Sequence, residues 1–472
     1  MRDKLAELVH NGPLGQLLWR PWYDRVSLPL VTSLIFPLSR AWAAADAAAA
    51  AEEGEGRDPQ AAFAAAVGET AARPRAAVPS RATLALFAKG RRRYLDAEAA
   101  LEDALFAGRS DPRPLGDLAG ERDQAAVRYM GLRTLFGLQQ VRARFPAVRF
   151  AIDPPEMVRV SVEGRLAAPE RAFRLPGAAP ALRLSQAIET DKHSRFYLRE
   201  DGPAEATDRS PGPLRATVLL PPNAPPRAIV LIAHGIAMEE DFWGGYSMLT
   251  HWLLDRGVGV LLPEGPWHGR RRAHGRHGGR YGGETVVARG PAGLIGYFET
   301  HVPELGRLTA WSRERWSVPV GLLGISLGAL TGQLVLAHAG GWAADARADA
   351  ALLVSPTDNV EETVFEGALT QGIGASDGLH DAGWTPEKIA ALRVLFEPAA
   401  GMLPDLAPER ILVALGREDR VVPYATGVGR CEAWGIPPRN RFVRRQGHFA
   451  LSLGLPAQPA PLERLLDLLD RG

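Results

Sequence analysis

Ser326 sits in Gly324-Ile325-Ser326-Leu327-Gly328, between an apolar stretch of strand length at 318–323 and a helix-like pattern opening at Ala329 and Leu330. A strand that turns straight into a helix forces the middle residue into a strained backbone conformation, for which glycines at i−2 and i+2 make room. The turn lifts the serine hydroxyl above the sheet. It also aims the Leu327 amide, at the positive end of the new helix, toward any oxyanion formed there. A nucleophile needs that geometry. The small residues Gly328, Ala329 and Gly332 allow the helix to press against the sheet.

A serine hydroxyl attacks only when a base removes its proton, and the base needs an acid to hold one tautomer. Both partners follow in the order serine, acid, histidine. The expected strand 410–415 runs into Gly416-Arg417-Glu418-Asp419, which sets a carboxylate in a turn at a strand end. The next expected strand, 441–444, leads to Gln446-Gly447-His448-Phe449 ahead of the last helix. Asp419 is assigned as the acid and His448 as the base. Asp358, beyond the strand 350–354, is the competing acid, and Glu418 is set aside because the turn should point its neighbour inward. A second oxyanion donor comes from Ala233-His234-Gly235-Ile236-Ala237, at the end of an earlier strand. The Ile236 amide is the first candidate and Ala237 the next, with His234 fixing the turn.

These residues must be carried by a rigid frame. From about residue 214 the pattern alternates apolar, β-branched stretches (214–220, 228–233, 258–262, 318–323, 350–354, 411–415) with helical ones, as in a mostly parallel sheet. A helix over 246–255 stops at Gly257. Leu462, Leu465, Leu466 and Leu469 mark one face of a closing amphipathic helix. Residues 357–409 form an insertion between two strands, with a helix opened by Thr385-Pro386, and are expected to make a lid over a pocket.

His-Gly after one strand, Gly-x-Ser-x-Gly after another, then Asp419 and Gly447-His448 resemble the α/β-hydrolase fold superfamily over residues 214–472. The resemblance implies a mostly parallel eight-stranded sheet flanked by helices, and acyl transfer through a serine acyl-enzyme. Asp241-Phe242-Trp243, Pro266-Trp267-His268-Gly269-Arg270-Arg271 and Glu418-Asp419 with Val422-Pro423 are similar to the branch that includes cardiolipin deacylases. On that likeness Trp243, Trp267, His268 and Arg271 are expected to contact substrate.

Arg270, Arg271, Arg272, Arg276 and Arg280 crowd one glycine-rich loop with His268, His274 and His277. Guanidinium forks match phosphate and carboxylate, so this loop could bind an anionic substrate; its alternative is a solvated loop paired with surface acids. The histidines lack acidic or thiol partners at ligand spacing, so no metal is expected. No organic cofactor is implied.

The chain has 472 residues, a hydrophobic fraction of 46% and a formal net charge of +1, a balance that gives no argument for nucleic acid. Its one cysteine, Cys431, cannot form an internal disulfide and fits a reducing, cytoplasmic setting. Residues 1–205 read as a largely helical N-terminal extension and 206–472 as the catalytic domain. In the first 45 residues, Trp19, Trp22, Tyr23, Phe36 and Trp42 mix with Arg20, Arg25 and Arg40. Such an arm could touch a membrane surface peripherally, but is read first as docked on its own catalytic domain. Its most apolar stretch, 26–38, contains Pro29 and Pro37 and is too short to span a bilayer. Residues 41–82 read as a frayed alanine-rich helix and flexible linker, followed by helices near 84–105 and 115–145. The function these features imply is hydrolysis of a carboxylic ester, of lipid or anionic type. The same three residues would also suit an acyltransferase or a peptidase, and an inactive protein of this fold would serve binding.

Overall fold

The computed structural model describes residues 19–68, 78–106, 113–202, 206–207, 209–222, 224–237, 245–272 and 280–471. Its centre is one sheet of ten strands: β1 Leu182–Leu184, β2 Ile188–Glu189, β3 Ser194–Glu200, β4 Arg215–Leu220, β5 Ala228–Ala233, β6 Val258–Pro263, β7 Val320–Ile325, β8 Ala350–Val354, β9 Ile411–Gly416 and β10 Arg441–Arg444. The order is β1-β3-β4-β6-β5-β7-β8-β9-β10, with β2 paired to β3. β3, β4 and β6 pair antiparallel, and everything from β6 through β10 runs parallel. Eight of these strands, β3 to β10, follow the α/β-hydrolase order, and short β1 and β2 extend its outer edge. The central strands are buried on both faces, which is why they read as unbroken apolar runs.

Winding reverses where β5 and β6 exchange places, and such a switch point opens a crevice at the carboxyl ends of the strands. β5 leads into His234 and Gly235 and β7 into Ser326, so both expected turns lie at that crevice.

The extension is more ordered and more deeply built in than composition suggested. Helix α1 (Pro21–Leu30) runs through a π-helical turn at Val31–Ile35 into α2 (Phe36–Glu55), followed by α3 (Pro59–Val67). Pro29 lacks an amide hydrogen, and the wider turn that follows it, with Phe36 N–H donating to Val31 O, absorbs the lost bond. The helical run 21–55 is therefore long and apolar enough to cross a membrane by length and composition, unlike the 13-residue stretch read from sequence. Two thirds of its most apolar window is instead buried inside the protein.

The alanine-rich first half of the expected frayed helix proves to be core, whereas residues 52–58 are exposed and 69–77 lie outside the described residues. Ala41 to Ala49 on α2 are almost fully buried, because small side chains let the neighbouring helices approach closely. Trp42 packs against Phe87 of α4 (Arg81–Phe106) and Tyr129 of α5 (Leu115–Gly131), and its indole donates to Tyr129 O at 2.9 Å. Asp46, inside the alanine run, receives Arg91 at 2.9 Å and the Tyr129 hydroxyl. The single helix expected over 115–145 is three pieces: α5, a 3₁₀ turn at Leu132–Phe136 and α6 (Gly137–Ala143).

After α7 (Pro155–Ala167), helices clothe the sheet on both sides. On one face lie α8 (Gly245–Leu254) and α18 (Ala460–Leu469), whose leucines join β5, β6 and β8 in one cluster. On the other lie α10 (Pro291–Trp316), preceded by α9 (Glu284–Ala288), then α11 (Leu327–His338) and α16 (Tyr424–Ala433). The β8–β9 insertion folds as four short helices, α12 (Val360–Glu366), α13 (Ala368–Gly372), α14 (Ala375–Asp381) and α15 (Pro386–Ala390). Thr385 caps α15 through Lys388 N–H. The expected stripe of Ile389, Leu392, Leu395 and Phe396 is buried, though the helix gives way to a 3₁₀ turn at Arg393–Leu395. Helix α17 (His448–Leu453) follows β10.

The boundary expected at 205/206 falls inside the sheet, since β3 pairs with β4 across it. A second tie is ionic: Arg40 of α2 grips Glu284 of α9 at 2.6 and 2.8 Å, with both side chains fully buried. Removing one member of such a pair strands a charge in a low-dielectric interior, at a cost of about 3–5 kcal/mol. Arg40→Ala is accordingly expected to lower the denaturation midpoint of the whole protein. Unfolding of the full-length variant followed by circular dichroism checks this, and an unchanged midpoint would refute it.

Candidate active site

Ser326 has φ 56° and ψ −116°, a conformation held from several sides. Its amide donates to Val354 O at 2.9 Å, and its carbonyl accepts from Ala329 and Leu330 as α11 begins. The flanking glycines are required by contact rather than by flexibility. A Cβ on Gly324 would stand 2.4 Å from Gly328 O, and one on Gly328 would stand 2.0 Å from Ala233 O. The strand–helix junction is packed too tightly for a methyl group on either side of the serine.

The Ser326 hydroxyl lies 2.9 Å from His448 Nε2 and donates to it; His448 Nδ1–H donates to Asp419 Oδ2 at 2.8 Å. Asp419 is fixed by three further donors: Val421 N–H and Val422 N–H, each 2.9 Å from Oδ1, and Ser355 Oγ–H, 2.8 Å from Oδ2. Burial by itself disfavours the imidazolium, but the adjoining Asp419 carboxylate outweighs it, so the His448 pKa lies above its ordinary value. The competing acids are elsewhere. Asp358 faces Arg430, and Glu418 turns outward to Arg445.

Ser355, directly after β8 and itself at φ 54°, was not singled out in the sequence. A serine after a strand carries no mark of its own, and the partner that gives it meaning is 64 residues away.

Among the described residues, neither the Ile236 nor the Leu327 amide has a hydrogen-bond partner. Ala237 N–H is occupied, donating to His268 Nε2 at 3.2 Å. Two neutral histidines hold this turn. His234 accepts from Gly265 N–H on Nε2 (2.9 Å) and donates from Nδ1 to Gly235 O; His268 donates from Nδ1 to Pro266 O. Burial pushes the His234 pKa down to about 4 and that of His268 well below its usual value, so both remain neutral near pH 7.

The expected substrate contacts Trp267, His268 and Arg271 therefore do other work, and none lines the cavities at Ser326. His268 braces the Ile236–Ala237 turn. Trp267 is buried in the core with its indole on Thr207 O. Arg271 is also buried, forked onto Glu304 at 2.7 and 2.9 Å and onto the Glu264 and Gly212 carbonyls. Trp243, with Asp241 and Phe242, lies outside the described residues, as do Arg276, His274 and His277. The remaining arginines of the loop are spoken for: Arg270 by Glu264, Arg272 over the Trp42 ring at 4.4 Å, and Arg280 by Arg149 O. The described arginines of the loop clasp extension and sheet together.

Two cavities meet at Ser326, Ile236 and Ala237. One, of about 160 Å³, runs under the insertion and is lined by Leu330, Val360, Val364, Leu369, Ile373 and Leu379 among others. The second, of about 80 Å³, passes His448 toward Leu249, Phe449 and Leu453. Phe36 and Leu369 stand at their junction, so the N-terminal arm is part of the wall. Among the described lining residues of the larger cavity the only charged side chain is Glu284, already paired with Arg40. No cation among them awaits an anionic substrate. No cluster of metal ligands occurs among the described residues.

No family model and no curated protein matches the chain. Solved structures resemble it at low identity. Acetyl xylan esterase 1 from Thermoanaerobacterium sp. JW/SL YS485 is 14% identical over 68% of this chain and 96% of its own, with a TM-score of 0.44. An acetyl xylan esterase from Paenibacillus sp. R4 is 16% identical over 70% and 99%, with a TM-score of 0.42. TT1662 from Thermus thermophilus is 22% identical over 54% and 94%, with a TM-score of 0.36. Scores this low add nothing to the strand order, on which the α/β-hydrolase fold rests.

If Arg271 is structural, Arg271→Ala will strand Glu304 and destabilise the protein by about 3–5 kcal/mol. It will not change the ratio of rates on anionic and neutral esters. Denaturant unfolding and paired assays test both halves, and a selective loss on anionic esters would restore the anion-binding role.

Proposed function

We propose that this protein is a serine hydrolase that cleaves carboxylic esters of extended apolar acyl groups through an acyl-enzyme. The observation that carries this reading is the continuous hydrogen-bonded line Ser326–His448–Asp419, with its hydroxyl at the junction of two apolar cavities.

In this mechanism His448 accepts the Ser326 proton as the oxygen attacks the ester carbonyl. Asp419 keeps Nδ1 protonated and stabilises the imidazolium. Charge then gathers on the carbonyl oxygen, and the Leu327 amide at the start of α11 and the Ile236 amide are assigned to receive it. One such donor is typically worth about 10² to 10³ in rate. Collapse of the tetrahedral species breaks the ester C–O bond, and His448 gives its proton to the departing alkoxide. Water, deprotonated by the same imidazole, then attacks the acyl-serine, and a second collapse releases the acid. The larger cavity is assigned to the acyl chain, because its apolar wall gains about 25 cal/mol per Å² of apolar surface removed from water. An anionic substrate, considered from the arginine loop, has no support in that wall.

A fluorophosphonate probe is expected to label the folded protein, and Ser326→Ala to abolish labelling. Hydrolysis of p-nitrophenyl esters should be faster for medium-length acyl chains than for acetate. Labelling that survives in the variant, or none in folded wild type, would overturn the proposal.

A lipid surface is the proposed source of such substrates. Trp22, Val26, Leu30 and Leu34 recur every fourth residue along α1 and the π turn, and are 48%, 60%, 47% and 39% exposed, with Arg25 exposed beside them. The opposite side of this segment supplies Val31 and Phe36 to the smaller cavity, so the apolar stripe and the cavity share one support. Full-length protein should float with anionic phospholipid vesicles, and the Val26→Asp, Leu30→Asp double variant should not. Wild type that stays in the soluble fraction would refute this.

A further inference from the structure

His448 begins a six-residue helix whose preceding residue, Gly447, has no side chain to cap it. The cap comes from the other end of the chain. Asp24, on α1, accepts Phe449 N–H at 2.7 Å and Ala450 N–H at 3.1 Å, the two amides directly after His448. A Cβ on Gly447 would lie 2.3 Å from the Asp24 carboxyl carbon, so the glycine before the histidine is where Asp24 enters. Nearby, Gln446 donates from its side chain to Trp19 O at 2.9 Å, and Trp19 packs against Gly454 at the far end of α17. The arm thus holds the histidine loop on both sides.

We propose that Asp24 is a positioning residue for His448: from α1 it pins the loop that carries the imidazole and adds a second negative charge behind it. The proposal rests on the hydrolase reading above and goes beyond it, because it makes the N-terminal arm part of the machinery that sets the base.

The charged and titratable groups that bear on the imidazole are Asp419, from the loop after β9, and Asp24, from α1; each favours the protonated ring. Burial raises the Asp24 carboxyl above its ordinary range, and the two amide donors pull it back. Tyr23, beside it, remains a neutral phenol, its pKa raised by burial and by the Asp24 charge. Removing the Asp24 charge therefore favours neutral imidazole. The neutral ring is the form that accepts the serine proton, so reactivity should persist to lower pH.

The test measures the rate of fluorophosphonate inactivation against pH for full-length wild type, Asp24→Asn and Asp24→Ala, each confirmed folded by circular dichroism. In Asp24→Asn, which keeps an acceptor oxygen, the acid-side midpoint should move to lower pH with most of the rate retained. In Asp24→Ala, which frees the loop, the maximal inactivation rate should fall on the order of 10- to 100-fold. An unmoved midpoint together with an undiminished rate in both variants would overturn the proposal, leaving Asp24 a mere fastening for the arm. Titration of the His448 ring signal by NMR, assigned with His448→Gln, reads the same shift without any reaction. A wild type that resists the probe, but whose ring midpoint drops in Asp24→Asn, would sink the hydrolase reading and support the Asp24 pairing; an unmoved ring midpoint would sink the pairing itself.

Discussion

The arrangement depends on how closely α11 lies against the ends of β5 and β7. Gly328 approaches the carbonyl of Ala233 so nearly that no side chain fits between them, and Gly324 packs as tightly on the first turn of the helix. Ser326 is caught between these contacts with a positive φ that a serine rarely adopts. Strain of this kind persists only when its surroundings over-determine it. Here they do so through the amide bond to Val354 O and through two helical amides that share the serine carbonyl. The same closeness puts the start of α11 beside the β5 turn, at the point where the two cavities meet.

Around that point, rigidity comes from neutral and charged groups used differently. His234 and His268 are kept neutral by burial and serve as connectors between backbone amides and carbonyls. His448 lies among carboxylates and moves the other way. Three buried histidines within one site are thus sorted by their neighbours rather than by residue type. The arginine loop follows the same logic. Each described guanidinium ends on a carboxylate, a backbone carbonyl or an indole face, and together these contacts tie the N-terminal segment to the sheet.

Much of the candidate site was legible because its pieces are local. Gly324 to Gly328, Asp419 after β9 and Gly447-His448 after β10 each combine residue type with a strand end, and the structure joins them by hydrogen bonds of 2.8 and 2.9 Å. The parallel sheet was legible for a similar reason, since strands buried on both faces need continuous apolar runs. What failed was whatever depended on partners far along the chain. Ala41 to Ala49 looked like a loose, low-complexity helix, yet nothing in an alanine run says whether other helices will close over it. Arg271 looked like an anion-binding residue because Glu304, which neutralises it, lies 33 positions away on another helix.

By itself, then, the chain of residues determined the elements and the chemistry held within a few positions of each strand end, because hydrophobic period, turn glycines and residue type act over short range. Tertiary structure alone decided which charges would be cancelled, which buried histidines would be held neutral, and that an aspartate 425 residues away would cap the helix that begins with His448. Those outcomes follow from burial and from distances between groups, and neither exists until the helices of the extension have closed on the sheet.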